Sequence, residues 1–184
     1  MTAHPPHRIE TERLVIRCWD RRDAALLKEA IDSSLDHLRP RMPWAQNEPE
    51  DLNAKIERLR RWISAFDAGQ EFFYGIFSRD ETRVIGGTGL HTRQGPGTFE
   101  IGYWIRADSI NQGFATETTE ALTRAAFETD GIRRVEIRCE IDNVPSAAIP
   151  RKLGFTLETI LKVEPVDKMV WAMTKTPGPV PDSD

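Results

Sequence analysis

Glu100-Ile-Gly-Tyr-Trp-Ile-Arg-Ala-Asp-Ser-Ile-Asn-Gln-Gly-Phe-Ala-Thr-Glu117 is the stretch on which the fold turns. Its first part, with Phe99, reads as a strand to Ile105. Beyond it Phe114, Thr118, Ala121, Leu122 and Ala125 step along one face of a helix that runs to about Thr129. Arg134–Ile141 is again strand-like, so strand, loop, helix and strand make one βαβ unit. The loop between strand and helix carries chemistry as well as topology. The first N–H groups of a helix have no internal partner, and the macrodipole adds about half a positive charge there. Gly113 has no Cβ, so a diphosphate can come close to the backbone over Asn111, Gln112, Gly113, Phe114, Ala115 and Thr116.

Upstream, Arg13–Cys18 alternates as a short strand, and Asp23 can cap a helix with the stripe Leu27, Ile31, Leu35 and Leu38. After Pro40–Pro49, the residues Leu52, Ile56, Leu59, Ile63 and Phe66 mark a second helix. Phe72–Phe77 and Val84–Leu90 form a hairpin about Arg79–Thr82, and the turn Gly95-Pro-Gly97 leads into the strand from Phe99. Downstream lie a short helix over Ser146–Leu153 and strands over Leu157–Val163 and Met169–Met173. The fold class expected is α/β: a mostly antiparallel meander of about 6–7 strands leading into the βαβ unit, with about four helices. One domain spans residues 9–175, and the Pro-rich polar ends, 1–8 and 176–184, read as disordered tails.

Composition narrows the function. Hydrophobic residues make up 39% and charged residues 29%, and the net charge is −4, which argues against a nucleic-acid backbone binder. No apolar run approaches the ~20 residues of a membrane helix. Met1 to Arg8 has no hydrophobic stretch, so no secretory leader is expected there. Two cysteines, Cys18 and Cys139, are too few for a disulfide scaffold, and a reducing cytoplasm is the default location. Val84-Ile-Gly-Gly-Thr-Gly89 hints at a dinucleotide loop, but Thr92 stands where a third glycine belongs and no helix follows. Of the four histidines, His4 and His7 fall in the tail, and His37 and His91 lack partners at metal-ligand spacing, so no metal is expected.

Taken in order, Thr11–Arg17, Ile85-Gly86 with Gly89-Leu90, Glu100–Ile105, Asn111–Glu117, Asp142-Asn143 with Ser146, and Leu153-Gly-Phe155 resemble a known family. The chain resembles the GNAT superfamily of acyl-CoA-dependent N-acetyltransferases over residues 9–175, and more narrowly its RimJ/RimL-like branch of ribosomal-protein N-terminal acetyltransferases. Two departures stand out. Ile110 occupies a position where the family commonly carries Gln or Arg, which leaves the diphosphate to the backbone of residues 111–116. Pro150, inside the last helix, cannot donate to the Ser146 carbonyl, and either re-aims Ser146 or ends the helix early.

The resemblance implies acetyl-CoA or coenzyme A as co-substrate and direct attack by an amine. It implies that the coenzyme arm enters between two parted strands, with the Ile105 backbone polarising the thioester carbonyl and Asn143 bonding the arm. Ser146 is the candidate partner of the leaving thiolate; a plain helix N-cap is its other reading. Glu100 is the candidate base, against an exposed strand-edge glutamate, and Glu71 is the second choice on the acceptor side. Trp44 either lines the acceptor groove or is a buried aromatic. The acceptor is a protein N-terminus or a small amine such as an antibiotic, a polyamine or an amino acid derivative. A non-catalytic acyl-CoA-binding module is the rival reading, and assembly as a homodimer is left open.

Overall fold

Alternating apolar residues build one eight-stranded sheet in the computed structural model, which describes residues 4–176. The strands are β1 (Arg8–Glu10), β2 (Leu14–Cys18), β3 (Glu71–Ser78), β4 (Val84–His91), β5 (Thr98–Ile105), β6 (Arg134–Glu140), β7 (Thr156–Leu161) and β8 (Lys168–Thr174). They lie in the order β1-β2-β3-β4-β5-β6-β8-β7. Only β5 and β6 run parallel, joined by a crossover helix over Phe114–Glu128; every other neighbouring pair is antiparallel. The helices are α1 (Ala24–Asp32), α2 (Leu35–Leu38), α3 (Leu52–Asp67), α4 (Phe114–Glu128) and α5 (Val144–Lys152).

Each face of the sheet has its own core. Phe72, Tyr74, Leu90, Phe99 and Ile101 pack against Leu122 and Ala126 of α4. On the opposite face Val15, Phe77 and Val84 pack against Leu27 and Ile31 of α1 and Leu59 of α3. The α/β class, the meander and the single βαβ unit are thus as expected, with the strand number raised to eight by β1. Three charged-and-apolar residues are too short a run to show alternation.

The first expected helix is two. After Asp32 the chain is diverted by its serines: Ser34 accepts a hydrogen bond from the Ala107 backbone N–H at 3.0 Å, and Ser33 accepts from Arg106 at 3.3 Å. Arg106 also grips Glu29 through both terminal nitrogens, at 2.9 and 2.7 Å. The break between α1 and α2 therefore anchors the segment by which the chain leaves β5. The expected N-terminal tail is also corrected over its described part. Arg8 opens β1, the Tyr74 hydroxyl donates to the Pro6 carbonyl at 2.9 Å, and the His7 ring lies 4.6 Å from that of Phe66. A fully buried tyrosine needs an acceptor for its hydroxyl, and residues 4–7 supply it. Residues 1–3, and 177–184 of the expected C-terminal tail, lie outside the described residues.

The segment between α2 and α3 turns through Pro43–Asn47 and is held by charge in the interior. Lys55 of α3 and Glu48 are both fully buried and hydrogen-bonded to each other, with Arg58 3.0 Å from Glu48 and 2.7 Å from Glu50. Burial alone would raise the Glu48 carboxyl, but Lys55, the Glu50 N–H and Arg58 together outweigh it and hold the group below its ordinary value of 4.5. A depressed carboxyl stabilises the fold above its unfolded pKa, and that contribution fades as pH falls through the folded one. Lys55→Ala, which strips the counter-charge from a buried carboxylate, is expected to cost about 3–5 kcal/mol in urea unfolding at neutral pH. The deficit should shrink on acidification below pH 4.5, as Glu48 becomes neutral in both states.

Candidate active site

β5 and β6 pair only from Thr98↔Arg134 to Ile101↔Ile137 and then part. Each follows its other neighbour: β5 stays on β4 as far as Ile105↔Gly86, and β6 stays on β8 as far as Glu140↔Lys168. The gap opens into a cleft of about 720 Å³, lined by Tyr103, Trp104 and Ile105, by loop and helix residues from Ser109 to Thr116, and by Asn143 and Ser146 of the α5 entry. Successive N–H groups of a strand point to opposite sides. Arg106 N–H goes to Ile85 O on β4 at 2.9 Å, so that of Ile105 points into the gap.

The loop is built as an anion cradle. Gly113 caps α4 in the left-handed region, φ 81°, a conformation that costs any residue with a Cβ about 1–2 kcal/mol. The first helical bond of α4 is Glu117 N–H to Gly113 O, so the N–H groups of Phe114, Ala115 and Thr116 are left without a helical acceptor. A Cβ at Gly113 would meet only Arg13, at 3.4 Å, and is otherwise in open space. Arg13 holds the loop from behind. It donates to the Gln112 carbonyl at 2.9 Å, to Glu117 at 2.7 Å, and lies 4.6 Å over the Phe114 ring. Ile110, at the position where a donor was missed in the sequence, is exposed in the cleft. The arrangement fits a diphosphate: unbonded N–H groups, no side chain in the way, and cations in Arg13 and Lys152 at the rim.

At the other end, Asn143 takes the helix cap, accepting from Ser146 N–H at 3.2 Å. Ser146 is thereby freed from capping, and its hydroxyl lies 3.1 Å from that of Tyr103. α5 continues past Pro150 to Lys152, so the proline does not end the helix. It leaves the Ser146 carbonyl without its helical donor, and the Tyr103 hydroxyl donates there instead, at 3.2 Å. Tyr103 thus ties α5 to β5 across the parting. Burial pushes its phenol well above the usual range, so it stays neutral. Sequence reading assigned Tyr103 no role; Pro150 was the signal that some group must reach Ser146.

The remaining site residues divide. Ile105, Asn111, Gly113, Phe114, Ala115, Thr116, Asn143 and Ser146 all line the cleft, whereas Gln112 turns its amide to Asp108 O at 3.3 Å. Trp44 is half-buried and packs edge-on against Trp104, ring centroids 5.9 Å apart. Arg41, from the same segment, reaches Glu140 at 2.7 Å and Asp142 at 2.5 Å and closes the far side. Glu71 is hydrogen-bonded to His91. Glu100 faces the α1/α3 side and is not an exposed edge residue. It is buried, gripped by both Arg93 nitrogens, bonded by Gln94 at 2.5 Å and approached by Arg138 at 3.8 Å. Burial would raise its pKa, yet Arg93, Gln94 and Arg138 together hold it below the usual carboxylate range. Three hydrogen bonds from Arg93 and Gln94 thus tie the carboxylate to the turn before β5.

Residues 13–156 match the family model described as an acetyltransferase (GNAT) domain. The chain belongs to the GNAT acetyltransferase family. The uncharacterized N-acetyltransferase p20 of Bacillus licheniformis is 30% identical over 155 residues, 83% of this chain and 84% of that protein. The ribosomal protein uS5-alanine N-acetyltransferase of Escherichia coli (strain K12) is 26% identical over 164 residues, 86% of this chain and 82% of that one. The solved structure of RimL, a ribosomal L7/L12 alpha-N-protein acetyltransferase in complex with coenzyme A, matches with a TM-score of 0.81 at 22% identity, covering 91% of this chain and 97% of that one. The protein is accordingly a GNAT N-acetyltransferase with ribosomal-protein acetyltransferases among its relatives.

Gly113→Val would add a branched side chain to the cradle at a left-handed position. Titration calorimetry should find coenzyme A binding abolished, while thermal unfolding remains a single transition. Retained affinity would refute the cradle.

Proposed function

We propose that this enzyme transfers the acetyl group of acetyl-CoA to a primary amine, and that the acceptor is the α-amine of a protein N-terminus. The observation that carries the reading is the single cleft joining the α4 N-terminus, where N–H groups lack acceptors, to the parting of β5 and β6, where the Ser146 hydroxyl is free of capping. Bound there, acetyl-CoA supplies an activated thioester. The N–H groups of Phe114 to Thr116 hold the diphosphate, with Arg13 steadying the loop. The Ile105 N–H, pointing into the gap, suits the oxygen that gains charge as the amine attacks. A coenzyme thiolate, with a thiol pKa of about 8.5, is stabilised by one hydroxyl hydrogen bond, which Ser146 supplies. Tyr103 then serves Ser146, accepting a hydrogen bond from its hydroxyl between turnovers and donating one to its carbonyl.

A protein N-terminus is favoured by chemistry and by kinship. An α-amine has a pKa of about 8, against about 10.4 for a lysine side chain, and so needs less help to lose its proton. Several curated relatives carry names that specify a ribosomal protein as acceptor. The strap Pro40–Trp44, stiffened by two prolines and pinned through Arg41, forms the wall past which such a chain would enter.

Initial rates with acetyl-CoA and a panel of amines test this reading. Peptides with free N-termini should exceed polyamines and Nα-blocked lysine peptides in kcat/KM; the reverse order would assign a small-amine acceptor. Ser146→Ala should lower kcat far more than it raises the KM for acetyl-CoA. Trp44→Ala should raise the acceptor KM and leave acetyl-CoA affinity alone, and a fall in that affinity instead would make Trp44 a core residue only.

A further inference from the structure

The acceptor-side face of the sheet is floored by glycine beside the point where β5 and β6 part. Gly87 pairs with Trp104, Gly89 with Gly102, and His91 with Glu100 and Glu71, so these residues share one face. A Cβ on Gly87 would lie 2.5 Å from the Trp104 indole nitrogen. One on Gly89 would lie 3.1 Å, and one on Gly102 3.3 Å, from His91 Nε2. The imidazole therefore lies flat across two glycines, and Gly102 is the first β5 residue beyond the last pair with β6. Glu71 holds the ring from its other side, 2.7 Å from Nδ1, and Phe73 meets it edge-on with centroids 5.4 Å apart.

We propose that His91 is the base that takes the proton from the attacking amine, with Glu71 as its positioning residue. The assignment rests on the acetyl transfer proposed above. An ionised carboxylate only accepts hydrogen bonds, so Nδ1 is the donor to Glu71, and in the neutral ring Nε2 bears the lone pair. Burial would raise Glu71, but His91, the Thr92 N–H and Arg93 together hold it below the usual carboxylate range, so the group is an anion at neutral pH. Nε2 is directed at the floor beside the parting, on the face opposite α4, and has no hydrogen-bond partner among the described residues. The charged groups around the ring are Glu71 from β3, Arg93 just after β4 and Glu100 from β5, with Glu136 and Arg138 of β6 beyond Glu100. Glu100 and Arg93 neutralise each other, which leaves His91 as the uncommitted basic atom on this face.

The step balances. The ammonium gives one proton to Nε2, the nitrogen lone pair forms the C–N bond, and the C–S bond breaks with its electrons on sulfur. A second proton leaves the nitrogen as the amide forms and is matched by the one gained by the thiolate. The proton on Nε2 passes to solvent when the product leaves.

The test is kcat against pH at saturating substrates, which reports groups in the ternary complex. The unaltered enzyme should lose activity on the acid side. His91→Gln should abolish that limb and lower kcat by about 10²–10⁴-fold, with acetyl-CoA affinity and melting temperature unchanged. Added imidazole should restore part of the rate in His91→Ala, which a structural role would not allow. Glu71→Gln should lower kcat but keep the limb. Persistence of the limb in His91→Gln, or its loss in Glu100→Gln instead, would overturn the assignment. If the unaltered protein binds acetyl-CoA but transfers to no amine in the panel, the proposed activity fails, and His91 has no such role.

Discussion

The end of the β5–β6 ladder at Ile101↔Ile137 is the constraint on which the molecule is arranged. A parallel pair that stays joined leaves no room for a ligand between its strands. Here each strand is held more extensively by its outer neighbour, β4 or β8, and the pair separates where those ladders diverge. Two unsatisfied backbone edges face each other across the gap. A buried edge of that kind is costly unless something bridges it. Tyr103 and α5 bridge it in part, and the remainder is the cleft.

The clamp at the exit of β5 follows from the same parting. Arg106 is 4% exposed and bonded to Glu29, Ser33 and Val84 O, which fixes where the chain turns towards the loop. The direction of the Ile105 N–H and the position of Gly113 both follow from this turn. On the other side of the cleft Arg41 draws the strap against the tip of β6. The walls are thus joined by charge-assisted bonds to the strands that separate, so wall and gap hold one geometry.

What the sequence made legible was local. The Gly113 loop, the α4 stripe and the order of strands rest on spacing along one segment, and the structure keeps them. The break at Ser33-Ser34 was hidden because its cause is a contact with Arg106 and Ala107, 73 residues on. Glu100 looked available because nothing in its own strand opposes it; Arg93 and Gln94 come from the preceding turn, and Arg138 from a neighbouring strand. His91 looked partnerless because Glu71 is 20 residues away and meets it only through hairpin register. For Ser146 the sequence leaves a cap open beside the thiolate-binding role, because capping is a common fate of serine at a helix start. Asn143, three residues earlier, takes that task and changes what the serine can do.

The glycine floor has a thermodynamic consequence. Gly87, Gly89 and Gly102 contribute no side-chain burial at the centre of the sheet, and glycine in a strand costs roughly 0.5–1 kcal/mol relative to alanine. That deficit is met by the rings lying across them, Trp104 and His91. A molecule that settled on this floor would add contacts to a sheet that lacks them, and would bind the folded state alone. Its occupancy would then appear as a rise in the melting temperature, growing with the logarithm of ligand concentration above Kd. The glycine floor would in this way report which amine belongs there.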